Sequence, residues 1–576
     1  MHILEKKVGQ RRYRVAAQAV WDPVRGRSFS RQAVLGPADL PPVADLGALR
    51  TVGTARIGDV GALAWVAEQL DVIRVLDQAC GVAPAPKTPS LGEMVLAVAV
   101  QRACAPGSKQ HLGDFLKDSL ARVSCLPGDA FTGQVFHRWA ARVTDEQLAR
   151  AQIELARRAT ERFALSVSVL AFDTTNFDTH IATTTPGLLA RRGHAKSKRA
   201  DLRVVGLGVL VSETGQVPLL HRTYAGNGAD QTVLTSCLDA LGQLHDALDR
   251  AEGRTRSAPR TLVRDGGSWG EDLEHLLDVV GYYTLVSLPL GHGAAERALV
   301  HAAQRGAMKP LTGALRGVRA ARLRGPVGAL DRTLVVVESE DLLRGQKRGI
   351  AAALAKAKAE LGVLARRIKA GRIRREDVRR RVQRTLAREH LAAFVVADVG
   401  GTEARPTLVW HVDAAKRRAL ERQRLGRRVL CTDQHDWTTA RIVTAFRGQW
   451  HVEELFRRTK KGGVVPWGPS YQWADGSLRL HTFATVLGLM LVSLAKLALG
   501  SSLSVRGTMT ALAGVRATRV RVAGQTRGRP PTVLVPPELS PLQADAVRTF
   551  DLERWMPTLR STRTSRRVRR ENSRAA

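Results

Sequence analysis

The stretch VSVLAFD at residues 167–173 decides the fold, because apolar and small residues lead directly into a carboxylate. A short apolar run bounded by polar residues predicts a buried β-strand, and we expect this strand to end at Asp173. Two further strands are predicted at Leu202–Val211 and Val217–Tyr224, joined by a turn at Glu213-Thr214-Gly215. Strands joined by such a short turn indicate an antiparallel meander.

The next elements continue this pattern with alternating helices and strands. A helix is predicted from about 230 to 249, followed by a strand at Arg260–Arg264 that leads into Asp265. Ser268 and Glu271 have the spacing of a helix-capping pair, and a fifth strand follows at Tyr283–Leu288. Three meandering strands, a helix, a fourth strand, a helix, a fifth strand and a later helix is the RNase H-like order. The predicted fold is therefore α/β, an RNase H-like core with a mixed five-stranded sheet and flanking helices.

The rest of the chain surrounds this core. Strands at 11–20 and 28–35 form a predicted hairpin around a turn at 22–26, and helical patterns run from about 60 to 164. Strands near 333–338, 393–398 and 407–412 around a helical stretch from 349 to 388 indicate an inserted domain. The predicted regions are a hairpin plus mainly helical region (1–165), the first part of the core (166–290), the insertion (291–429), the second part of the core (430–500) and a C-terminal region ending in the basic tail Arg560–Arg574 (501–576).

Composition favours a nucleic-acid partner. The chain carries 89 basic and 53 acidic residues, a net charge of +36, and such an excess favours binding to a polyanion. The alternative is a solvated basic surface in an Arg-rich and Ala-rich chain. The five cysteines form no CxxC pairs, so neither a zinc site nor a disulfide framework is predicted.

Other function classes find no support in the sequence. Neither a Walker loop nor a strand-linked GxGxxG is present, so no nucleotide or dinucleotide cofactor is expected. The amino terminus is charged where a signal peptide needs an apolar run. Phe483–Leu499 is apolar but contains Lys496, and we interpret it as a buried helix. We expect a cytoplasmic protein with no membrane partner.

Three carboxylates are the candidate catalytic and metal-binding residues: Asp173, Asp265 and Glu453, the last on a helix predicted from about 438 to 461 with Asp436 as its cap. In the RNase H-like order, acids on the first strand, fourth strand and last helix converge. Hard oxygen ligands suit Mg²⁺ or Mn²⁺, and two such ions serve phosphodiester cleavage. Each acid alone also has an ordinary structural reading, as a strand-end cap, a turn former or an i,i+4 partner of Arg457.

Several motifs carry a family resemblance. In chain order they are AFDTTNF (171–177), KSKRADL (196–202), AGNGAD (225–230), VRDGGSW (263–269) and FRGQWHVEELFRRTK (446–460). Together they resemble bacterial insertion-sequence DDE transposases, and more narrowly the insertion-sequence-four superfamily. That superfamily has a signature of Tyr, two residues, Arg, three residues, Glu, six residues and Lys.

The signature is a variant here, since its register gives Phe446, Gln449, Glu453 and Lys460. The resemblance implies that the residues around Glu453 contact DNA phosphate. Gln449 lacks the charge of arginine, so Arg447 or Arg457 is expected to compensate. Helical spacing predicts that these positions share roughly one face.

The loop from Arg191 to Arg199 supplies two further candidate DNA contacts, Lys196 and Lys198, although a flexible charged loop is the alternative. The resemblance implies binding to terminal inverted repeats, with residues 1–165 as the DNA-end-binding region, metal-dependent nicking, and strand transfer into target DNA by a homodimer. It also implies a bacterial protein associated with the nucleoid. A metal-dependent nuclease using the same carboxylates, or an inactive derivative that only binds DNA, remains open.

Overall fold

The computed structural model describes residues 2–9, 11–22, 27–38, 49–253, 259–304, 306–388, 390–470, 472–522 and 532–556. Most of the turn predicted at 22–26 and the whole tail Arg560–Arg574 fall outside these ranges. The chain divides into two compact units. Unit 1 comprises Met1–Leu148, Lys461–Trp467 and Arg479–Ala576, and unit 2 comprises Ala149–Lys460 and Gly468–Leu478.

Strands and helices both occur along most of the chain. The strands are β1 (His2–Val8), β2 (Arg11–Asp22), β3 (Arg27–Pro37), β4 (Leu49–Arg56), β5 (Val169–Thr179), β6 (Arg203–Ser212), β7 (Pro218–Ala225), β8 (Arg260–Arg264), β9 (Tyr282–Leu288), β10 (Lys309–Pro310), β11 (Val318–Val327), β12 (Leu330–Ser339), β13 (Val395–Gly401), β14 (Pro406–Val412), β15 (Arg427–Thr432), β16 (Arg516–Val522) and β17 (Thr532–Val535). The helices are α1 (Gly58–Leu70), α2 (Val72–Cys80), α3 (Leu91–Cys104), α4 (Leu112–Lys117), α5 (Gly133–Ala140), α6 (Asp145–Phe163), α7 (Asp230–Thr235), α8 (Leu238–Ala251), α9 (Glu271–Val279), α10 (Gly293–Ala302), α11 (Glu340–Lys369), α12 (Arg375–Leu386), α13 (Ala414–Gln423), α14 (Thr439–Arg447), α15 (Trp450–Thr459), α16 (Asp475–Leu499), α17 (Val505–Ala513) and α18 (Pro541–Thr549).

Unit 1 combines short sheets with apolar helices. The predicted hairpin is confirmed as β2 and β3, and β1 pairs with β2 in the same antiparallel sheet. Helix α3 begins with a capping box between Ser90 and Glu93, which satisfies backbone N–H groups that a helix start leaves open. Helix α16 is long and apolar enough to cross a membrane, but 78% of its apolar window is buried inside the protein. That burial agrees with the buried helix predicted at Phe483–Leu499.

Unit 2 is built on a sheet that, among the described residues, has nine strands in the order β10-β11-β12-β15-β9-β8-β5-β6-β7. All five strands predicted for the core are present, and β8 has the predicted bounds. The predicted count of five is wrong because β15 pairs with the edge of β9, and β12 pairs with β15. The open edge of β9 thereby gains hydrogen-bond partners that an unpaired edge would lack.

The direction of the central strands follows from their connections. β5 and β6, and β6 and β7, are antiparallel neighbours, whereas β5–β8 and β8–β9 are parallel pairs whose connections contain helices. Every residue of β8 is buried, as expected for a central strand covered on both faces. The carboxyl ends of β5 and β8 therefore point the same way.

Three helices predicted as continuous are interrupted in the structure. The stretch 349–388 forms α11 and α12, separated at Gly371 with φ of +65°, a conformation that glycine adopts without a Cβ clash. The stretch 230–249 forms α7 and α8. The stretch 438–461 forms α14 and α15, and this break changes the candidate site.

Candidate functional site

Parallel pairing places Asp173 beside Asp265. The β5–β8 register ends at the pair Phe172 and Arg264, so the next residue on each strand is one of the two aspartates. β8 stops there, but β5 continues to Thr179, and Asp173 pairs across with Val209 of β6. The prediction that the first strand ends at Asp173 is therefore wrong. The strand that ends at this position is β8, the parallel neighbour of β5.

Asp265 is held by a short 3₁₀ turn at Gly266–Ser268. The Ser268 hydroxyl donates a hydrogen bond to the backbone oxygen of Asp265 at 2.8 Å, and Arg264 Nη1 donates to the backbone oxygen of Ser268 at 2.7 Å. Asp265 itself is exposed. The predicted capping pair is wrong, because the N-cap of α9 is Gly270 and makes no side-chain cap. Ser268 instead stabilises the turn through its hydrogen bond to the Asp265 backbone oxygen.

A buried polar network anchors that turn to the sheet. Arg264 is fully buried and forms an ion pair with Glu274 of α9. Glu274 Oε2 accepts a hydrogen bond from the Thr284 hydroxyl at 2.6 Å, and Arg332 lies 3.8 Å from the same carboxylate. Asp433 accepts the Thr284 backbone N–H at 2.8 Å and lies 3.9 Å from Arg332. Residues in or beside four strands thus meet α9 in one network, which includes the residue before Asp265.

Burial raises the pKa of Asp433 to about 6, an effect that Glu274 increases and that the Thr284 N–H and Arg332 oppose. Sequence reasoning missed this network. The sequence indicated this network only by placing charged residues, Arg264 and Asp433, within or directly beside apolar strands. A buried charge needs a partner, but the sequence does not show which partner.

Lys460 contacts β5 two to four residues beyond Asp173. Its Nζ donates to the Thr175 hydroxyl at 3.0 Å and to the Asn176 backbone oxygen at 2.8 Å, and lies 4.7 Å from the centre of the Phe177 ring. Asp173, Thr175 and Phe177 alternate along the strand and so share one face of β5. Burial, together with the charge of Lys196, lowers the pKa of Lys460 to about 8, and Asp178 opposes this effect.

The predicted basic loop is attached to the same strand. Lys196 Nζ donates to the Thr174 backbone oxygen, and the Lys196 backbone N–H donates to Asn176 Oδ1 at 3.0 Å. Asn176 Nδ2 donates to the His194 backbone oxygen at 2.8 Å. Asn176 therefore fixes the loop, a role that sequence reasoning missed although the residue stands in the AFDTTNF motif. Lys198 is exposed with φ of +64°.

The helix predicted to carry the signature is divided. α14 ends at Arg447 and α15 begins at Trp450, with Gly448 as the C-cap of α14. Thr438, whose side chain accepts from the Arg441 N–H, caps α14, so the predicted cap Asp436 is wrong. Because Phe446 and Glu453 lie on different helices and Lys460 is the C-cap of α15, the prediction of one shared helical face is wrong.

The other signature residues differ in accessibility. Glu453 is exposed on α15, a helix that packs against β5 and β6, whereas Gln449 is buried at its start. Arg457 pairs with Glu454 at 3.1 Å, and Arg447 Nη1 donates to the Ala314 backbone oxygen at 3.4 Å. Asp265 thus follows the end of β8 beside Asp173, and Lys196 and Lys460 contact the residues of β5 that come directly after Asp173.

The spacing of the carboxylates bears on the expected metal. Within the part of the chain that is described, no three His, Cys, Asp or Glu side chains are grouped closely enough to hold a metal ion. Glu453 is thus not seen as a third ligand beside Asp173 and Asp265. Mg²⁺ is commonly held by one or two carboxylates, with water and substrate phosphate completing its shell. Two adjacent aspartates fit that donor set.

Comparisons with known proteins add little to this geometry. No protein-family model and no curated protein sequence matches the chain. Among solved structures, it has a likeness to the cryo-EM structure of a piggyBac transposase synaptic complex with hairpin DNA, with a TM-score of 0.37 and 10% identity over 90% of this chain and 84% of that chain. A likeness this weak carries no argument about fold or function.

Proposed function

We propose that this protein is a DDE-type transposase that cleaves and rejoins DNA with divalent metal bound at Asp173 and Asp265 and completed by Glu453. The observation that carries the proposal is the β5–β8 register, which sets the two aspartates side by side where the parallel pairing ends. Two lysines, Lys196 and Lys460, contact the continuing strand beside them. Carboxylates for a cation and ammonium groups for phosphate are the parts that phosphodiester chemistry needs.

The proposal includes an RNase H-like core in β5–β9. The strand order β7-β6-β5-β8-β9, with two antiparallel and two parallel pairings, supports it. Under this proposal, α15 is the last helix of the core, and it packs against β5 with Glu453 exposed on its surface. The bacterial insertion-sequence-four assignment rests on the motifs and their order in the sequence.

The residues have distinct proposed tasks. Asp173 and Asp265 would hold the metal. The expected metal is Mg²⁺ or Mn²⁺, and two ions are expected. A metal held by these residues would supply activation of the attacking water or hydroxyl and stabilisation of the leaving oxygen. Lys460 and Lys196 bind the neighbouring phosphates and keep the scissile strand over the carboxylates. The buried Arg264–Glu274 pair keeps the Asp265 turn in place before DNA arrives.

A cleavage assay on DNA carrying the element's terminal inverted repeats tests this function. The expected result is nicking with Mg²⁺ that is lost in Asp173→Ala, Asp265→Ala and Glu453→Ala. Glu454→Ala is the matched control, since Glu454 adjoins Glu453 and pairs with Arg457. Full nicking by the first three variants would refute the assignment.

Adding target DNA distinguishes transposition from simple hydrolysis. A transposase joins the freed 3′ ends to the target, in the proposed case as a homodimer holding both element ends. A nuclease with the same carboxylates produces nicks and no joined product. Binding with neither nicks nor joined product would identify an inactive derivative.

A further inference from the structure

Helices α11 and α12 and the β13–β14 hairpin form a substructure within unit 2. Its apolar core contains Leu361 and Leu364 of α11 together with Val378 and Val382 of α12, all buried. Trp410 and Val399 of the hairpin pack against this core. The apolar face of each helix is thus already covered by its own substructure, which leaves the opposite faces to solvent.

Those solvent faces are strongly basic. Eight exposed cations lie between the last turn of α11 and the end of α12: Arg366, Arg367, Lys369, Arg372, Arg374, Arg379, Arg381 and Arg384. We refer to these eight residues as the basic ridge. Among the described residues, none of the eight makes an ion pair, although they come from a chain in which many surface arginines do.

Nearby acids are engaged elsewhere. Asp377 of α12 pairs with Arg380 at 3.1 Å, and Glu360 of α11 pairs with Arg388 at 2.9 Å. Glu376 lies 3.9 Å from Arg380, and the Glu403 carboxylate accepts the Glu376 backbone N–H at 3.4 Å. None of these acids pairs with a ridge residue. Clustered like charges repel one another and destabilise the fold that carries them, so a bound polyanion would relieve a cost that the protein bears alone.

We propose that the basic ridge is a second DNA-binding surface, which binds the phosphate backbone of duplex DNA without reading its sequence. Seven of the eight side chains are arginines, whose planar guanidinium groups suit phosphate oxygens. The ridge residues Arg374 to Arg384 extend about 15 Å along α12 at 1.5 Å per residue, enough to reach more than one phosphate. A membrane is the poorer partner, since a membrane-binding helix presents an apolar face to lipid and here that face is buried.

The proposal rests on the proposed function in taking DNA as the partner, but it concerns binding and not the carboxylates. Full-length protein carrying Asp173→Ala is titrated into fluorescent duplex DNA of arbitrary sequence over a salt series. The test variant adds Arg367→Gln, Arg372→Gln, Arg379→Gln and Arg381→Gln. A matched control instead adds Arg324→Gln, Arg344→Gln, Arg424→Gln and Arg548→Gln, four exposed arginines already paired with acids.

Each lost phosphate contact reduces the slope of log K against log salt by about 0.9, so the test variant should have a slope shallower by about 2 to 4. The control should keep the parent slope, and both should keep the parent Tm. Replacing the same four ridge positions with lysine should restore most of the slope, because the charge returns. That recovery separates lost phosphate contacts from a local folding defect.

An unchanged slope in the test variant, or equal losses in test and control, would overturn the ridge as a DNA surface. Loss of binding to phosphatidylglycerol vesicles with DNA binding intact would overturn it in favour of a membrane partner. The cleavage assay with unmodified Asp173 is scored separately. Absent cleavage with a reduced ridge slope would refute the proposed function and leave DNA binding by the ridge standing.

Discussion

Lys460 is the cation with the most defined contacts beside the aspartates. Two hydrogen bonds and the Phe177 ring hold its ammonium group against β5, and burial with the neighbouring Lys196 charge lowers its pKa to about 8. A cation held in this way is placed in advance for a phosphate, since its side chain is already ordered. The adjacent Lys461 is exposed and offers a natural comparison.

Lys460→Gln should reduce DNA cleavage about 10-fold or more, because a hydrogen bond to a charged group contributes about 1.5–3 kcal/mol. Lys461→Gln removes the same charge one residue later and should leave the rate nearly unchanged. Single-turnover cleavage rates at saturating Mg²⁺ make the comparison. Equal effects of the two substitutions would show that only overall charge matters at this end of α15.

Asp433 gives a pH-dependent prediction. Its folded pKa of about 6 lies above the ordinary value of 3.8, so the folded state holds the proton more tightly than the unfolded state. The stability that this provides is fully present below pH 3.8 and is lost as pH rises through about 6. The free energy of unfolding of wild type, measured relative to Asp433→Asn, should therefore fall by about 3 kcal/mol as the pH rises from below 3.8 to neutral. This figure follows from about 1.36 kcal/mol per pKa unit.

Denaturant unfolding of wild type and Asp433→Asn at several pH values measures this difference. Asparagine still accepts the Thr284 N–H but does not titrate, so it serves as the reference. Arg332 and Glu274 are the charged groups that face Asp433 and are unchanged in both proteins. A difference in stability that stays constant with pH would contradict the raised pKa.

At the scale of elements, the turn after β8 is the part on which the site depends. A Cβ at Gly266 would run into the backbone oxygen of Ser287, whereas a Cβ at Gly267 would have nothing within 4 Å. Gly266→Ala should shift Asp265 and reduce cleavage by about 100-fold, the cost of a displacement on the order of 1 Å in an active site.

Gly267→Ala is the control for that turn and should retain nearly full activity. Circular dichroism and Tm show whether each variant keeps its fold while cleavage is compared. Wild-type cleavage by Gly266→Ala would mean that the turn does not set the position of Asp265. Loss of activity in both variants would mean that the turn is sensitive to any added side chain.

Elements with a strong local pattern were predictable, and those set by distant contacts were not. The apolar runs ending at Arg264 and Leu288 located β8 and β9 closely, since burial dictates their composition. The break at Gly448 was missed because a helical pattern continues in phase across it. Asp173 was placed at a strand end because its own apolar run stops there, although pairing with β6 extends β5 further.

At the scale of the molecule, the order of the strands in the large sheet could not be predicted from the sequence. β15 begins 139 residues after β9 ends, from Leu288 to Arg427, yet pairs directly with it. No local pattern encodes that pairing. The neighbouring positions of Asp173 and Asp265 were predictable from motif and strand direction. The network through Glu274, Arg332 and Asp433 was not, because its partners come from separate elements of the sheet and α9.

The central claim is that Asp173 and Asp265 hold a divalent cation, and Mn²⁺ binding measured by electron paramagnetic resonance tests it most directly. The protein is titrated with Mn²⁺ in the presence of duplex DNA. Wild type and Glu454→Gln should bind Mn²⁺, Asp173→Asn and Asp265→Asn should each abolish binding, and Glu453→Gln should weaken it. Wild-type Mn²⁺ binding by a protein carrying both Asp173→Asn and Asp265→Asn would contradict the account.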